Sequence, residues 1–157
     1  MSIFLIGDLH LNHTNIIKYC HRPFKSIGEM NRTLVDRWNS TINKQDTVYF
    51  LGDLCFGDPK IWLDQLNGDI RFIWGNHDKE LCKIRQLRET YILEHNLESF
   101  MLVHAVEYLK GPWKGWIIHG HNHNNQPLVN RVKKTMNVSA EMLNYYPIEL
   151  DELLSKR

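Results

Sequence analysis

The sequence lacks three features that would each indicate a particular class of protein. Its 157 residues include only three cysteines, Cys20, Cys55 and Cys82, with no C-x-x-C pair, which argues against a disulfide framework and a thiolate zinc site. No run approaches the ~20 apolar residues that span a bilayer, and no signal-type segment precedes the first apolar run. Lys and Arg number 19 against 18 Asp and Glu, so a basic track that could neutralise many nucleic-acid phosphates is missing.

These absences predict a cytoplasmic protein with neither a membrane nor a long nucleic acid as its partner. No pattern in the sequence indicates an oligomeric state. Hydrophobic residues make up 43% of the chain, which is enough to form a core. Because domains of ~100–150 residues are the most common, we expect one domain over residues 1–157 and no separate lid domain.

Five short apolar runs, each the length of a β-strand, are separated by helical signals. The runs are residues 3–7, 47–52, 70–75, 100–103 and 116–118, and four of them are bounded by glycine. Ser26 and Glu29 form a capping box before a helix, and Asp58 with Pro59 begins a second helix. We expect a third helix over residues 79–88, a hairpin arm over residues 129–138 and a terminal helical turn over residues 151–154. This alternation of strands and helices predicts an α/β fold.

Side chains that bind metals follow each of the five apolar runs. In chain order they are Asp8 and His10, then Asp53, then Asn76, His77 and Asp78, then His104, and finally His119, His121 and His123. Ligands of open α/β sheets bind beyond the carboxyl ends of the strands, so these five positions can converge on one crevice. One histidine after a strand is usually structural, but five polar clusters in register with five strands indicate a site.

The types of ligand narrow the chemistry of this site. Carboxylate, imidazole and amide groups without thiolate suit divalent ions; we favour Mn²⁺, with Fe²⁺, Zn²⁺ or Ni²⁺ as alternatives. These candidate ligands outnumber the four of a tetrahedral zinc site, so the sequence predicts two ions that share one carboxylate. Two ions ~3.5–4 Å apart suit the hydrolysis of phosphate esters.

The motifs Asp8-x-His10, Gly52-Asp53, Gly75-Asn76-His77-Asp78, His104 and Gly120-His121-x-His123 resemble the ordered motif set of the calcineurin-like metallophosphoesterase superfamily, in its small bacterial, archaeal and phage form. The resemblance implies two packed mixed β-sheets flanked by helices, an α-β-β-α sandwich with the metal site at the C-terminal ends of the strands. It also implies that residues 136–150 close the second sheet.

Carried over by motif position, the resemblance assigns roles to the candidate residues. Asp8, His10 and His123 would bind one ion, Asn76, His104 and His121 would bind the other, and Asp53 would bridge the two. His77 would act on the leaving oxygen as a general acid, or stabilise the phosphoryl group as a cation, with Asp78 orienting its ring. Asp78 has an alternative role as the N-cap of the following helix.

Residues outside the motif set have more open assignments. His13 and Arg22 are candidates for contact with the substrate phosphate or its leaving group, with a solvated loop as the alternative. We expect His119 in the core or behind the ligands, His21 and His95 on the surface, and Trp113 and Trp116 in packing rather than in a pocket wall.

The sequence departs from part of the family pattern after Gly52-Asp53. The next residues are Leu54-Cys55-Phe56-Gly57, where the Ser/Thr protein phosphatases of the superfamily carry a phosphate-gripping arginine. This difference counts against the Ser/Thr protein phosphatase branch without excluding a protein substrate. We expect a metal-dependent phosphohydrolase that acts on a small phosphorylated substrate, either a monoester or a diester. A nuclease or cyclic-nucleotide phosphodiesterase is the alternative, and an inactive scaffold of the same fold is a third hypothesis.

Overall fold

The computed structural model describes residues 1–157 as two packed mixed β-sheets flanked by helices. The strands are β1 Ile3–Ile6, β2 Thr47–Phe50, β3 Asp69–Phe72, β4 Thr90–His95, β5 Glu98–Val103, β6 Trp116–His119, β7 Val129–Asn130, β8 Thr135–Asn137 and β9 Ile148–Glu149. The α-helices are α1 Ile16–Tyr19, α2 Ile27–Thr41, α3 Lys60–Leu63 and α4 Leu150–Leu154. No helix has the length and apolar character needed to cross a membrane.

The first sheet has the strand order β3-β2-β1-β9. β1, β2 and β3 are parallel in consecutive register, with Ile3 opposite Thr47 and Thr47 opposite Asp69. All four residues of β2 are buried, as expected for a central parallel strand covered on both faces. The C-terminal ends of these three strands therefore lie side by side at one edge of the sheet.

The second sheet has the strand order β4-β5-β6-β8-β7. β5, β6 and β8 are parallel, while β4 and β7 each pair antiparallel with a neighbour. β7 and β8 form the hairpin predicted over residues 129–138. His104 follows β5 and His119 ends β6, so this sheet also brings the ends of parallel strands together.

Two apolar layers hold these elements in place. The helical side of the first sheet packs on α2 through Met30, Leu34 and Trp38, which recur at helical spacing and are fully buried. The second layer lies between the sheets, where Leu5 and Leu51 of the first sheet meet Phe100 and Ile118 of the second. Because both layers are hydrophobic and buried, their packing fixes the relative position of the two sets of strand ends.

The capping box of α2 is present, since the Ser26 hydroxyl accepts a hydrogen bond from the backbone N–H of Glu29 at 3.2 Å. The Glu29 carboxylate reaches back to the backbone N–H of Lys25 rather than of Ser26. Asp58 also acts as expected at the start of α3, where its carboxylate accepts from the backbone N–H of Lys60. α3 ends at Leu63, which is earlier than the stop signal that the sequence places at Asn67-Gly68.

The prediction of a helix over residues 79–88 is wrong. Only a single 3-10 turn forms there, Leu81–Lys83. The chain then extends along β3, where the backbone N–H of Arg88 donates to Phe72 and its carbonyl accepts from Trp74. Pairing with an open sheet edge thus replaces the helical hydrogen bonds of this segment.

Residues 136–150 serve both sheets rather than the second alone. β8 lies in the second sheet, whereas β9 pairs antiparallel with β1 in the first. Between them, the carbonyl of Val138 accepts from the backbone N–H of Gly7 at 2.9 Å. This segment joins the two sheets beside the predicted ligands.

Candidate metal centre

The candidate ligands lie on the loops that follow β1, β2, β3, β5 and β6. Several of these loops place a ligand in the left-handed region of backbone conformation, with φ of 57° at Asp8, 61° at Asp53 and 66° at His121. Residues other than glycine rarely adopt this backbone conformation, which costs about 1–3 kcal/mol of stability at each position. The backbone conformation that directs these side chains into the site therefore destabilises the fold.

The first group of ligands, the Asp8 cluster, consists of Asp8, His10 and His123. Their ligand atoms lie within 4.8 Å of one another. Asp8 and His10 come from the first sheet and His123 from the second, so the cluster exists only because the sheets pack together. Asp8 and His10 are almost completely buried, at 0% and 2% exposure.

The second group, the His121 cluster, consists of Asp53, His104 and His121, again with ligand atoms within 4.8 Å of one another. The Asn76 side-chain oxygen lies 3.1 Å from Nε2 of His104, and Nδ1 of His121 lies 3.2 Å from the same nitrogen. The structure therefore places Asn76 beside the cluster to which the sequence assigned it. This group is also built from both sheets.

One oxygen atom connects the two clusters. Oδ2 of Asp53 lies 3.4 Å from Nε2 of His10 and 3.4 Å from Nε2 of His104. Burial alone would raise the pKa of Asp53, but His104 and His10 outweigh it and lower the pKa to about 2. Asp53 is therefore a carboxylate at neutral pH, at the position expected of a bridging ligand.

The Asp8 cluster contains buried polar atoms without a partner. Oδ1 of Asp8 and Nε2 of His10 are buried and make no hydrogen bond. Burial lowers the pKa of His10 well below its usual value and raises the pKa of Asp8 to about 6. An unpaired carboxylate oxygen and a neutral imidazole nitrogen in a dry site are costly unless a cation binds them. These atoms fit a divalent metal ion.

Groups behind the ligands fix the orientation of the imidazole rings. Nδ1 of His104 donates to the carbonyl of Leu51 at 2.6 Å, which directs Nε2 into the site. Nδ1 of His123 donates to the Glu141 carboxylate at 3.1 Å. Such partners hold the tautomer that binds a metal and raise the basicity of the ligand. No motif in the sequence marks Glu141.

Glycines allow the backbone to approach the ligands closely. A Cβ atom on Gly75 would collide with the Asp53 carboxylate, and one on Gly120 would collide with the Asp8 carboxylate. Gly52 has a φ of +89°, and a Cβ there would lie 2.5 Å from Nδ1 of His104. Gly52, Gly75 and Gly120 are thus required by the site itself.

His77 lies at the exposed mouth of the site. Its ring centroid is 5.4 Å from that of His10 and 5.3 Å from that of Phe56. Its backbone N–H donates to Oδ1 of Asp53 at 2.8 Å, so its position depends on the bridging residue. The ring is free to meet a substrate.

The structure contradicts the predicted role of Asp78 in orienting the His77 ring. The Asp78 carboxylate is buried and accepts three hydrogen bonds of 2.9 Å from the backbone N–H groups of Asp53, Leu54 and Gly75. It does not cap a following helix either. Asp78 instead ties the loop after β2 to the loop after β3, which aligns Asp53 with Asn76.

Arg22 fits neither of its predicted roles, because its guanidinium is not available to a substrate and it does not lie in a solvated loop. It is buried, and its guanidinium donates to the carbonyls of Asp8 and Leu9, both at 2.7 Å. It also forms an ion pair of 2.7 Å with Glu141. Arg22 is fully committed to holding the loop of Asp8 and the carboxylate behind His123. No guanidinium is thereby left at this position for a phosphate.

His13 does lie beside the site. Its Nδ1 is 3.3 Å from Nδ1 of His10, and its ring packs 4.1 Å from that of Phe56. A third cluster of possible ligands, Cys20, His123 and Glu141, shares His123 with the Asp8 cluster. Because Arg22 already neutralises Glu141, this group supports His123 rather than forming a separate metal site.

The remaining assignments from the sequence have mixed outcomes. His119 is buried, with Nδ1 2.9 Å from the carbonyl of Gly120, and His21 is exposed. His95 is only partly exposed and pairs with Asp151 at 2.6 Å. Trp113 donates to the carbonyl of Trp116 at 3.2 Å, which fits packing.

Two mixed sheets with ligand clusters at the C-terminal ends of their parallel strands define the fold of a metallophosphoesterase. The Calcineurin-like phosphoesterase superfamily domain matches residues 1–145 of the sequence. The chain belongs to this superfamily, which confirms the resemblance and the fold class predicted from the motifs.

The chain is also similar to individual proteins and solved structures. The uncharacterized protein MJ1445 of Methanocaldococcus jannaschii is 46% identical over 161 residues, covering 96% of this chain and 88% of that protein. The crystal structure of AQ665 from Aquifex aeolicus, of unknown function, has a TM-score of 0.75 at 23% identity and covers 99% of both chains. Wild-type Vps29 from Entamoeba histolytica, complexed with zinc, has a TM-score of 0.50 at 21% identity over 87% of this chain and 73% of its own. The two solved structures show the same fold.

Proposed function

We propose that the protein is a dinuclear metal-dependent phosphoesterase that hydrolyses a small phosphorylated substrate. Asp8, His10 and His123 would hold one divalent ion, while Asn76, His104 and His121 would hold the other. The observation that carries the proposal is the position of Asp53, because one of its oxygens faces an imidazole nitrogen of each group at 3.4 Å. When bound, two such ions supply a hydroxide nucleophile and neutralise charge on the phosphoryl oxygens.

The side chains of the protein would divide the remaining tasks. Asp53 carries a full negative charge and would hold the two halves of the site together. Leu51 and Glu141 fix the rings of His104 and His123 before any ligand arrives, which lowers the cost of assembling the site. His77 stands at the mouth, where an imidazolium could donate a proton to the departing oxygen.

The donor set suits Mn²⁺ and also accommodates Fe²⁺, Zn²⁺ or Ni²⁺, because it combines imidazole with carboxylate and amide oxygen. The test is a panel of phosphomonoesters, diesters and cyclic nucleotides, each assayed with Mn²⁺, Ni²⁺, Zn²⁺ and Mg²⁺. We expect hydrolysis of at least one class with at least one of these ions and none after chelation. Tight binding of two ions without hydrolysis of any ester would instead favour a scaffold that retained only the fold.

A nucleoside diester is the second candidate substrate, because aromatic side chains lie on both sides of the site. Phe56 packs against His13 and His77 on one side, and Tyr108 lies 6.0 Å from the His121 ring on the other. Tyr108 also packs on Trp74 at 5.8 Å. A phosphate monoester carries a second negative charge that a diester lacks. Because the Arg22 guanidinium already binds Glu141 and two backbone carbonyls, it is not available to neutralise that charge. Both features suit a diester with planar groups.

This candidate is tested by comparing two diesters on the Phe56→Leu variant. Base stacking on an aromatic side chain is worth ~1–3 kcal/mol, so KM for a cyclic nucleotide should rise by about tenfold. KM for glycerophosphoethanolamine, which has no aromatic group, should stay unchanged. Equal changes in both KM values would remove Phe56 from base recognition.

A further inference from the structure

A second concave surface lies away from the metal centre, where the edge strands β3 and β4 meet. We call it the arginine groove; Arg71, Arg85, Arg88, Tyr49, Tyr91 and Gln86 line it, and it encloses about 310 Å³. It contains none of the candidate metal ligands. A backbone bridge between Ile73 and Arg88 closes one side of it.

The groove concentrates positive charge in a nearly neutral protein. Three arginines line it and no acidic residue does, although the whole chain carries a formal charge of only +1. Arg71 pairs with Asp69 at 3.3 Å, but both side chains are more than half exposed, so solvent weakens this pair. Arg85 and Arg88 have no acidic partner. The groove therefore has unbalanced charge available for an anion.

The two tyrosines hold the guanidinium groups rather than offering free ring faces. The Arg71 guanidinium lies 5.6 Å from the ring centroid of Tyr49 and donates to its hydroxyl at 3.1 Å. The Arg88 guanidinium lies 5.0 Å from the ring centroid of Tyr91. Tyr49 is buried and its ring packs 5.1 Å from that of Tyr91. Cation–π contacts thus preorganise two of the three cations.

We propose that the arginine groove binds a phosphate group at a site separate from the metal centre. Guanidinium groups present planar pairs of N–H donors that match the oxygens of phosphate. Because the tyrosine faces are already covered, the ligand is a compact oxyanion rather than a flat ring. The volume of the groove accommodates either inorganic phosphate or the phosphate of a small organic molecule.

The test is an NMR titration of the arginine side chains in the zinc-loaded protein, since Zn²⁺ is diamagnetic. Sodium phosphate is added at constant ionic strength while the Nε–Hε signals are followed. We expect saturable shifts of the Arg71, Arg85 and Arg88 signals, with no shift of exposed Arg32. Because charge-assisted hydrogen bonds are the strong ones, Arg88→Gln should weaken phosphate binding by about tenfold, whereas Arg32→Gln should leave it unchanged.

Two further titrations distinguish the chemical source of the phosphate and the site at which it binds. Glycerol 3-phosphate replaces inorganic phosphate in one arm, and saturable shifts with either compound support the proposal. The Asp53→Asn variant replaces the native protein in the other arm, where the arginine shifts should persist. Their loss in that variant would place the phosphate at the metal centre and overturn the proposal, as would shifts that follow ionic strength alone. The readout is binding, so a failure of hydrolysis leaves it unaffected.

Discussion

The Asp8 cluster and the His121 cluster have similar donors but different surroundings. In the Asp8 cluster, Asp8 is fully buried, and Glu141 behind His123 has a side chain only 4% exposed. In the other cluster, the side chain of His121 is 31% exposed and faces Glu107, whose side chain is 59% exposed, at 3.7 Å. We expect the Asp8 cluster to bind its ion more tightly and the His121 cluster to exchange its ion and meet substrate.

Asp53→Asn should have the largest effect, because Asp53 faces both clusters. Loss of a group that merely supports a ligand costs ~10–100-fold in metal affinity, so loss of a shared ligand should exceed this and reduce activity to background. Metal content and turnover are measured together on the purified protein. The exposed helical residue Asp36 provides the matched control, and Asp36→Asn should keep both ions. Two tightly bound ions in the Asp53→Asn protein would show that the clusters are independent.

His77→Ala should affect catalysis without affecting metal binding, because His77 is not a candidate ligand in either cluster. A general acid contributes ~10²–10⁴-fold to the rate, so kcat should fall by about 100-fold on substrates with poor leaving groups. The loss should be smaller with p-nitrophenol as the leaving group, while metal content stays at two ions. His95→Ala is the matched histidine control and should behave as the native protein. An unchanged kcat would remove His77 from the mechanism.

A matched pair of substitutions sharpens the contrast between the clusters. Glu141→Gln breaks a buried ion pair with Arg22, which should lower the free energy of unfolding by about 3 kcal/mol. It should also lower the affinity of the Asp8 cluster for its metal ion by ~10-fold. Glu107→Gln alters an exposed group and should change both quantities little. Urea unfolding and metal titration measure the two effects. Equal losses from both variants would contradict the contrast in burial.

Above pH 7, metal affinity should depend on pH in the same way in both clusters. Burial lowers the pKa of His104 and of His123, but hydrogen bonds and nearby carboxylates outweigh burial and raise the values to about 9 and about 10. Each cluster thus contains one histidine that must release a proton before it binds a metal. Affinity should rise about tenfold per pH unit in both clusters between pH 7 and 8.5.

Below pH 6 the clusters should diverge, because burial raises the pKa of Asp8 to about 6. The Asp8 cluster then binds a proton on Asp8 in addition to the proton on His123, and both compete with the metal. Asp53, with a pKa of about 2, does not bind a proton in this range. Affinity of the Asp8 cluster should therefore fall more steeply than that of the His121 cluster. Competition with a chromophoric chelator from pH 5.5 to 8.5 measures both slopes. Parallel slopes below pH 6 would argue against a buried, protonated Asp8.

The strands that lead into the site and the positions of the candidate ligands could be predicted from the sequence because their signals are local. Each apolar run ends in glycine or a polar ligand, and parallel strands bring such ends together. The absence of the helix predicted over residues 79–88 could not be recognised from the local sequence, because the backbone of Arg88 hydrogen-bonds to residues beside the open edge of β3. Helical propensity is a weak signal against such tertiary pairing.

The roles of Asp78, Arg22 and Glu141 could not be predicted for a related reason. Asp78 and Arg22 bind backbone groups up to 25 residues away in sequence, and Glu141 lies 119 residues from Arg22. Nothing in the residue types distinguishes a buried partner of the backbone from a substrate ligand. The sequence marked Asp78 and Arg22 as candidates near the site but did not show that their charges were already satisfied, and it did not mark Glu141.

The most direct test of the central claim is anomalous diffraction from crystals loaded with Mn²⁺. We predict two manganese peaks ~3.5–4 Å apart, one among Asp8, His10 and His123 and the other among Asn76, His104 and His121, with the Asp53 carboxylate between them. A single peak in fully loaded crystals, or two peaks of which neither contacts Asp53, would contradict a dinuclear centre bridged by that residue.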